Sequence, residues 1–186
     1  MESPDEHLSR LVECTPETRK LREELARRTA AEAASRLVAN KYKSERDAFM
    51  SAFDECPFPQ ILCAPDGRAL RINKAAKVAM GGMEAPPDFT VFNDPQLILL
   101  NVPEHFSRAL AGEKVRMPRY VFNVGKTHMG APDLDLTLET VLHPVFGAGG
   151  KVESVVVQHF DLTPLAAAEA EIERLRALLR NAGIGY

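Results

Sequence analysis

Apolar residues change their rhythm several times along this 186-residue chain. From Pro16 to Phe53 they are sparse: Leu21 and Leu25, then Ala30, Ala33 and Leu37, then Phe49 and Phe53. No Gly and no further Pro interrupts this stretch, which is rich in Ala, Glu, Arg and Leu and predicts one long helix. Thr15 before Pro16 suits an N-cap followed by Pro at the first helical position. So thin a stripe cannot hold a helix alone, so a partner helix is expected early on, alongside Leu21 and Leu25, and packing against the domain late, through Ala48, Phe49 and Phe53.

Two prolines in "CPFPQILCAPDGRALRINKAA" end that pattern. Ile61 to Cys63 reads as a short strand, Pro65-Asp66-Gly67 as a turn, and Ala69 to Ile72 as the hairpin partner. Asn73 to Met80 reads as a short helix closed by Gly81-Gly82. Helical spacing returns over Gln96 to Leu100 and Pro103 to Ala111, with Gly112 as the stop. Val115 to Val124 is β-rich. "LDLTLETVLHPVF" then alternates, with Leu134, Leu136, Leu138, Thr140 and Leu142 on one face. Gly147 to Gly150 makes a hairpin loop, and Lys151 to Phe160 returns beside it. The unbroken run Val155-Val156-Val157 implies a strand covered on both faces, hence central in the sheet.

That strand passes into a second helix within a few residues. Thr163-Pro164 repeats the cap signal, and Leu165, Ala168, Ile172, Leu175, Leu179 and Ala182 recur at spacings of three and four. Charged residues border this narrow seam, so a parallel pairing in a homodimer is expected; the alternative is a helix folded back on its own domain.

Charge narrows the function. Lys+Arg 23 against Asp+Glu 26 leaves no large basic surface for a phosphate backbone, so no nucleic-acid partner is expected. Cys14, Cys56 and Cys63 are odd in number and lack paired spacing, which argues for reduced thiols and against a disulfide framework or a metal site. The acidic, polar start and the lack of a membrane-length apolar run predict a cytoplasmic protein with no membrane partner.

In order and spacing, four segments resemble the PAS family: "FPQILCAPDGRALRINKAAKVAMGG", "FSRALAGEKV", "LTLETVLHPVFGAGGKVESVVV" and "DLT" at Asp161 to Thr163. The resemblance implies an α+β fold: a five-stranded antiparallel sheet with small helices on one face, cupping a small pocket. A long N-terminal helix and a C-terminal coiled-coil helix would flank it. The implied parts are a helical extension and dimerisation linker at 1–48, the PAS domain at 49–162 and a signalling helix at 163–186. It further implies relay of a pocket event through Asp161 and Thr163 into the C-terminal helix, with Asp161 holding the hinge by a salt bridge; a helix-capping role is the alternative.

In the light-sensing relatives a cysteine attacks flavin, but no cysteine follows Cys63 here, which excludes that photochemistry. Haem needs an axial ligand. His105 lies on the right helix, but relatives place the ligand one turn earlier, where Asn101 stands, so a surface role is favoured. The cofactor therefore stays unknown. His159 is in phase with Val155 and Val157, and a buried imidazole there needs a partner, either Thr140 or a ligand. His143 is out of phase, facing the other side, and His128 falls in a loop. The remaining pocket-phase residues, Ile61, Cys63, Leu134, Leu136, Leu138, Leu142, Val155 and Val157, suit either a small apolar ligand or a filled core.

Two functions follow from these expectations. One is a sensory PAS input module of a bacterial sensor kinase or transcriptional regulator, of two-component type, acting through the terminal helices of a homodimer. The other is a ligand-free PAS dimerisation and protein-interaction module. No His after Asp161 to accept phosphate, no Gly-rich nucleotide loop and no nucleophile–base–carboxylate grouping argue against an enzyme. An effector domain is expected in another chain or beyond residue 186.

Overall fold

A computed structural model describes residues 15–82, 86–126, 130 and 132–181; Cys14, His128 and Ala182 lie outside the described residues. The chain divides into two compact units between Ser51 and Ala52. Helix α1, Pro16–Glu55, runs for 40 residues and buries none of them. Thr15 Oγ1 accepts the Thr18 N–H at 3.3 Å and so caps its start. Every residue from Arg19 to Phe49 is exposed. The i,i+4 pairs Glu24–Arg28 and Lys41–Glu45 run along the helix, but such pairs add only a few tenths of a kcal/mol each, roughly.

The second unit is built on five strands: β1 Gln60–Cys63, β2 Ala69–Ile72, β3 Val115–Asn123, β4 Asp135–Phe146 and β5 Val152–Asp161. They form one antiparallel sheet in the order β2-β1-β5-β4-β3, so the Val155–Val157 run sits in the central strand as its apolar continuity requires. The β1–β2 turn needs Gly67: its φ is +81°, and a Cβ there would lie 2.9 Å from the Phe92 ring and 3.0 Å from the Val91 nitrogen. The β4–β5 hairpin closes through Gly147 N–H to the Lys151 carbonyl at 2.8 Å.

Strand β3 departs from simple alternation. Met117 pairs with Thr140 and Tyr120 with Leu138, so Pro118 and Arg119 together face Glu139 as a bulge. Pro118 cannot donate to the ladder, which explains why the irregularity falls there. The bulge turns Tyr120 to the same face as Met117.

Three short helices cover that face: α2 Lys74–Ala79, α3 Pro95–Leu99 and α4 Val102–Leu110. Asn73 and Asp94 cap α2 and α3 by accepting backbone N–H groups, which also explains where these helices begin. Helix α4 buries Val102, Phe106 and Ala109 and packs on β3, β4 and β5. Phe106 is 0% exposed at the centre of a core with Val115, Leu142 and Val155, and meets Phe92 edge-on at 5.6 Å. Leu134, expected to share the inward face of β4, precedes the strand and is exposed. Helix α5, Thr163–Asn181, follows β5 with Leu162 as the single intervening residue.

Candidate functional site

Between the sheet and α2 the fold leaves a cavity of about 170 Å³. Every strand contributes to its wall: Ile61 and Cys63 from β1, Ile72 from β2, Met117 and Tyr120 from β3, Leu138 and Thr140 from β4, Val157 and His159 from β5. Ala76 of α2, Leu97 of α3, Val102 of α4 and the Pro86–Val91 segment also line it. Of the residues expected in a pocket, His159, Val157, Leu138, Thr140, Leu136, Ile61 and Cys63 line the cavity. Leu142 and Val155 do not. Both are fully buried on the same face of the sheet, within the solid core around Phe106.

Polar groups in this apolar wall form a chain. Thr140 and His159 are direct cross-strand partners, and Thr140 Oγ1 lies 2.7 Å from His159 Nδ1. The same oxygen lies 2.6 Å from Tyr120 Oη. Thr140 is therefore the partner of His159, and its hydroxyl also serves the tyrosine. His159 lines the cavity, and with Nδ1 engaged by Thr140 its Nε2 makes no hydrogen bond among the described residues and is left to serve a bound molecule.

Burial sets the charge of the site. It pushes the His159 imidazole down to about 4. It pushes the Tyr120 phenol up to about 12, against the opposing hydrogen bond from Thr140, and the Cys63 thiol up to about 12. All three are uncharged at neutral pH. Asp161 is the sole carboxylate among the described lining residues.

The strand-to-helix junction is tied down. Leu162 N–H donates to the Thr137 carbonyl at 2.8 Å, and Thr137 N–H donates to Thr163 Oγ1 at 2.9 Å. Asp161 Oδ1 accepts the Thr163 N–H at 2.8 Å. The carboxylate thus caps α5 and makes no salt bridge within the described residues. Further along, Arg119 of β3 pairs with Glu169 of α5 at 2.6 Å. The residues expected in a dimer seam, Leu165, Ala168, Ile172 and Leu175, are exposed and Leu179 is half-buried; Leu21 and Leu25 on α1 are exposed.

Haem does not fit. His105 is not part of the cavity wall, and the space is smaller than the roughly 300–1,000 Å³ of sites for drug-sized ligands. Among the described residues no group of three His, Cys, Asp or Glu side chains is placed to hold a metal ion. None of the helices described is long and apolar enough to cross a membrane.

Two functional-looking residues escape sequence reasoning. Tyr120 is hidden by the bulge, for which Pro118 is the one available signal. Asn73 is 0% exposed. Its side-chain oxygen accepts from Gln60 N–H and Ala76 N–H, both at 2.9 Å, while its amide nitrogen donates to the carbonyls of Phe53, Cys56 and Phe58.

No family model matches this sequence, and no curated protein matches it. Solved structures do. The PAS domain of an HTR-like protein from Haloarcula marismortui has a TM-score of 0.51 at 12% identity, covering 68% of this chain and 98% of that one. An RNA-binding light-oxygen-voltage receptor has a TM-score of 0.50 at 16% identity, covering 75% of this chain. This chain spans 39% of the length of that receptor. At such identities the likeness defines the fold, and the fold is that of a PAS domain, as the order of its sequence segments led us to expect.

Proposed function

We propose that this chain is a sensory input module. Residues 49–162 bind a small molecule in the cavity, 1–48 form a dimerisation linker, and 163–186 carry the signal outward in a homodimer to an effector in another chain or beyond residue 186. The observation that carries this reading is the continuity between the cavity wall and the output helix. His159 and Asp161 both line the cavity, and two residues after Asp161 the chain enters α5, with its connector hydrogen-bonded to β4. A ligand that displaces β5 relative to β4 must strain those bonds or carry α5 with it, and paired helices have discrete registers that turn a small shift into two states.

The second reading, a ligand-free dimerisation and interaction module, is favoured by the apolar residues that α5 leaves exposed, Leu165, Ile172 and Leu175. Native mass spectrometry with an absorption spectrum of the purified chain separates the two. A bound small molecule that is lost in a Val157→Phe variant, whose added ring fills the cavity, supports the sensor. A ligand-free chain whose α5 is unperturbed by any added cavity-sized molecule supports the interaction module.

A further inference from the structure

Resting on the reading of the cavity as a ligand site, we propose what it selects: a small uncharged molecule with an apolar body and a single hydrogen-bonding head. The Tyr120–Thr140–His159 chain takes that head as donor or as acceptor by reversing the direction of its own hydrogen bonds.

The size follows from the space. A dry apolar cavity of about 150 Å³ holds one benzene molecule, so 170 Å³ suits about five to nine heavy atoms. The lack of charge follows from the wall. Burial keeps His159, Tyr120 and Cys63 neutral, so an anion would find no counter-charge and would meet Asp161, whose Oδ1 is already engaged by Thr163 N–H.

Reversibility follows from proton counting. Thr140 Oγ1 contacts Tyr120 Oη at 2.6 Å and His159 Nδ1 at 2.7 Å, but a hydroxyl carries one proton. If Thr140 donates to Nδ1, then Tyr120 donates to Thr140, the imidazole proton sits on Nε2, and the cavity sees a donor. If Thr140 donates to Tyr120, then Nδ1–H donates to Thr140, Nε2 is bare, and the cavity sees an acceptor. The tyrosine proton is then free to turn away from Thr140. Both arrangements use the same heavy-atom positions and leave the two inner contacts intact, so the ligand head decides between them.

Four probes of suitable size test this on the full chain: cyclohexanone (acceptor only), pyrrole (N–H donor only), benzene (neither) and benzoate (anion). Affinity is measured by calorimetry and the His159 tautomer by imidazole ¹⁵N shifts. Cyclohexanone and pyrrole are expected to bind about tenfold tighter than benzene, the worth of one well-made hydrogen bond, with benzoate weakest. Cyclohexanone should give the Nε2–H tautomer and pyrrole the Nδ1–H tautomer. Tyr120→Phe removes the acceptor for the Thr140 proton in the pyrrole-bound arrangement. It should therefore weaken pyrrole about tenfold and leave cyclohexanone within about twofold, whereas a tyrosine that only fills space would affect both alike. Benzene binding as tightly as the polar probes, benzoate binding best, or one tautomer throughout overturns this inference and leaves the cavity a ligand site. Binding by none of the four overturns the ligand-site reading as well.

Discussion

Thr137 and Thr163 are joined through backbone and side chain: the Thr137 N–H donates to Thr163 Oγ1 at 2.9 Å, and the Thr137 carbonyl accepts the Leu162 N–H at 2.8 Å. The β4–β5 ladder is thereby prolonged past the end of β5, and the first residue of α5 is held by a strand that also supplies Thr140 to the cavity. Thr163→Val keeps the side chain's shape and leaves the Thr137 N–H without its acceptor. Loss of about 1 kcal/mol is expected by urea denaturation, with benzene-sized probes still bound within about twofold. A change confined to probe binding, with stability intact, would contradict this role.

Asn73 predicts a larger effect. It satisfies two backbone donors and three backbone carbonyls while fully buried, and so fixes the end of α1 to β1 and α2. Asn73→Ala strands several of these groups at once, and a loss of about 3 kcal/mol is expected. Lys74→Ala, which removes an exposed ion pair with Glu55, should have a much smaller effect in the same denaturation experiment. Equal losses would show that the buried asparagine is replaceable by water.

Periodicity in the sequence specifies which face a residue takes and is silent on depth. Leu142 and Val155 share the phase of Thr140 and Val157, so sequence groups them together. In space, the first pair lies in the solid core with Phe106 and the second lines the cavity, and that choice is made by tertiary packing. The same reasoning places β5 at the centre from its three consecutive valines. It fails at β3, where an extra residue at Pro118 reverses the phase and brings Tyr120 inward. Asn73 reads in sequence as the first residue of a short helix and in space is its N-cap, but its three carbonyl contacts come from residues 15 to 20 positions away in the chain, beyond any local pattern.

Acid should destabilise the fold through His159. Its folded value, about 4, lies below the ordinary 6.5 because burial disfavours the imidazolium. The unfolded chain therefore binds the proton first. The contribution is fully present above pH 6.5 and is lost as pH falls towards about 4, which amounts to roughly 2 kcal/mol between pH 7 and pH 5. His143, held down by burial and by Lys114, acts in the same direction. Asp54 and Glu113, held down by hydrogen bonds from Arg71 and Arg108, lose their contributions in a lower window, below their ordinary 3.8 and 4.5. Denaturation of His159→Gln at both pH values checks the assignment: most of the loss between pH 7 and pH 5 should disappear, and an unaltered loss would place the titrating group elsewhere.

The α5 seam gives the last prediction. Leu165, Ala168, Ile172, Leu175 and Leu179 recur at alternating steps of three and four. The pairs Glu171–Arg174 and Glu173–Arg176 occupy the intervening turns. Leu165, Ile172 and Leu175 are each about half exposed in the single chain. Burial against a second copy would stabilise such a stripe, and in a parallel arrangement each residue would meet its own equivalent. Ile172→Asp with Leu179→Asp would bury four carboxylates in the paired form, a cost that the remaining contacts cannot offset. Sedimentation should show a dimer for the native chain and a monomer for the double variant, while Tyr120, Thr140 and His159, all outside α5, keep probe affinity within about twofold. A double variant that stays dimeric would move the interface off α5 and leave α1, with its more exposed Leu21 and Leu25, as the surface that pairs.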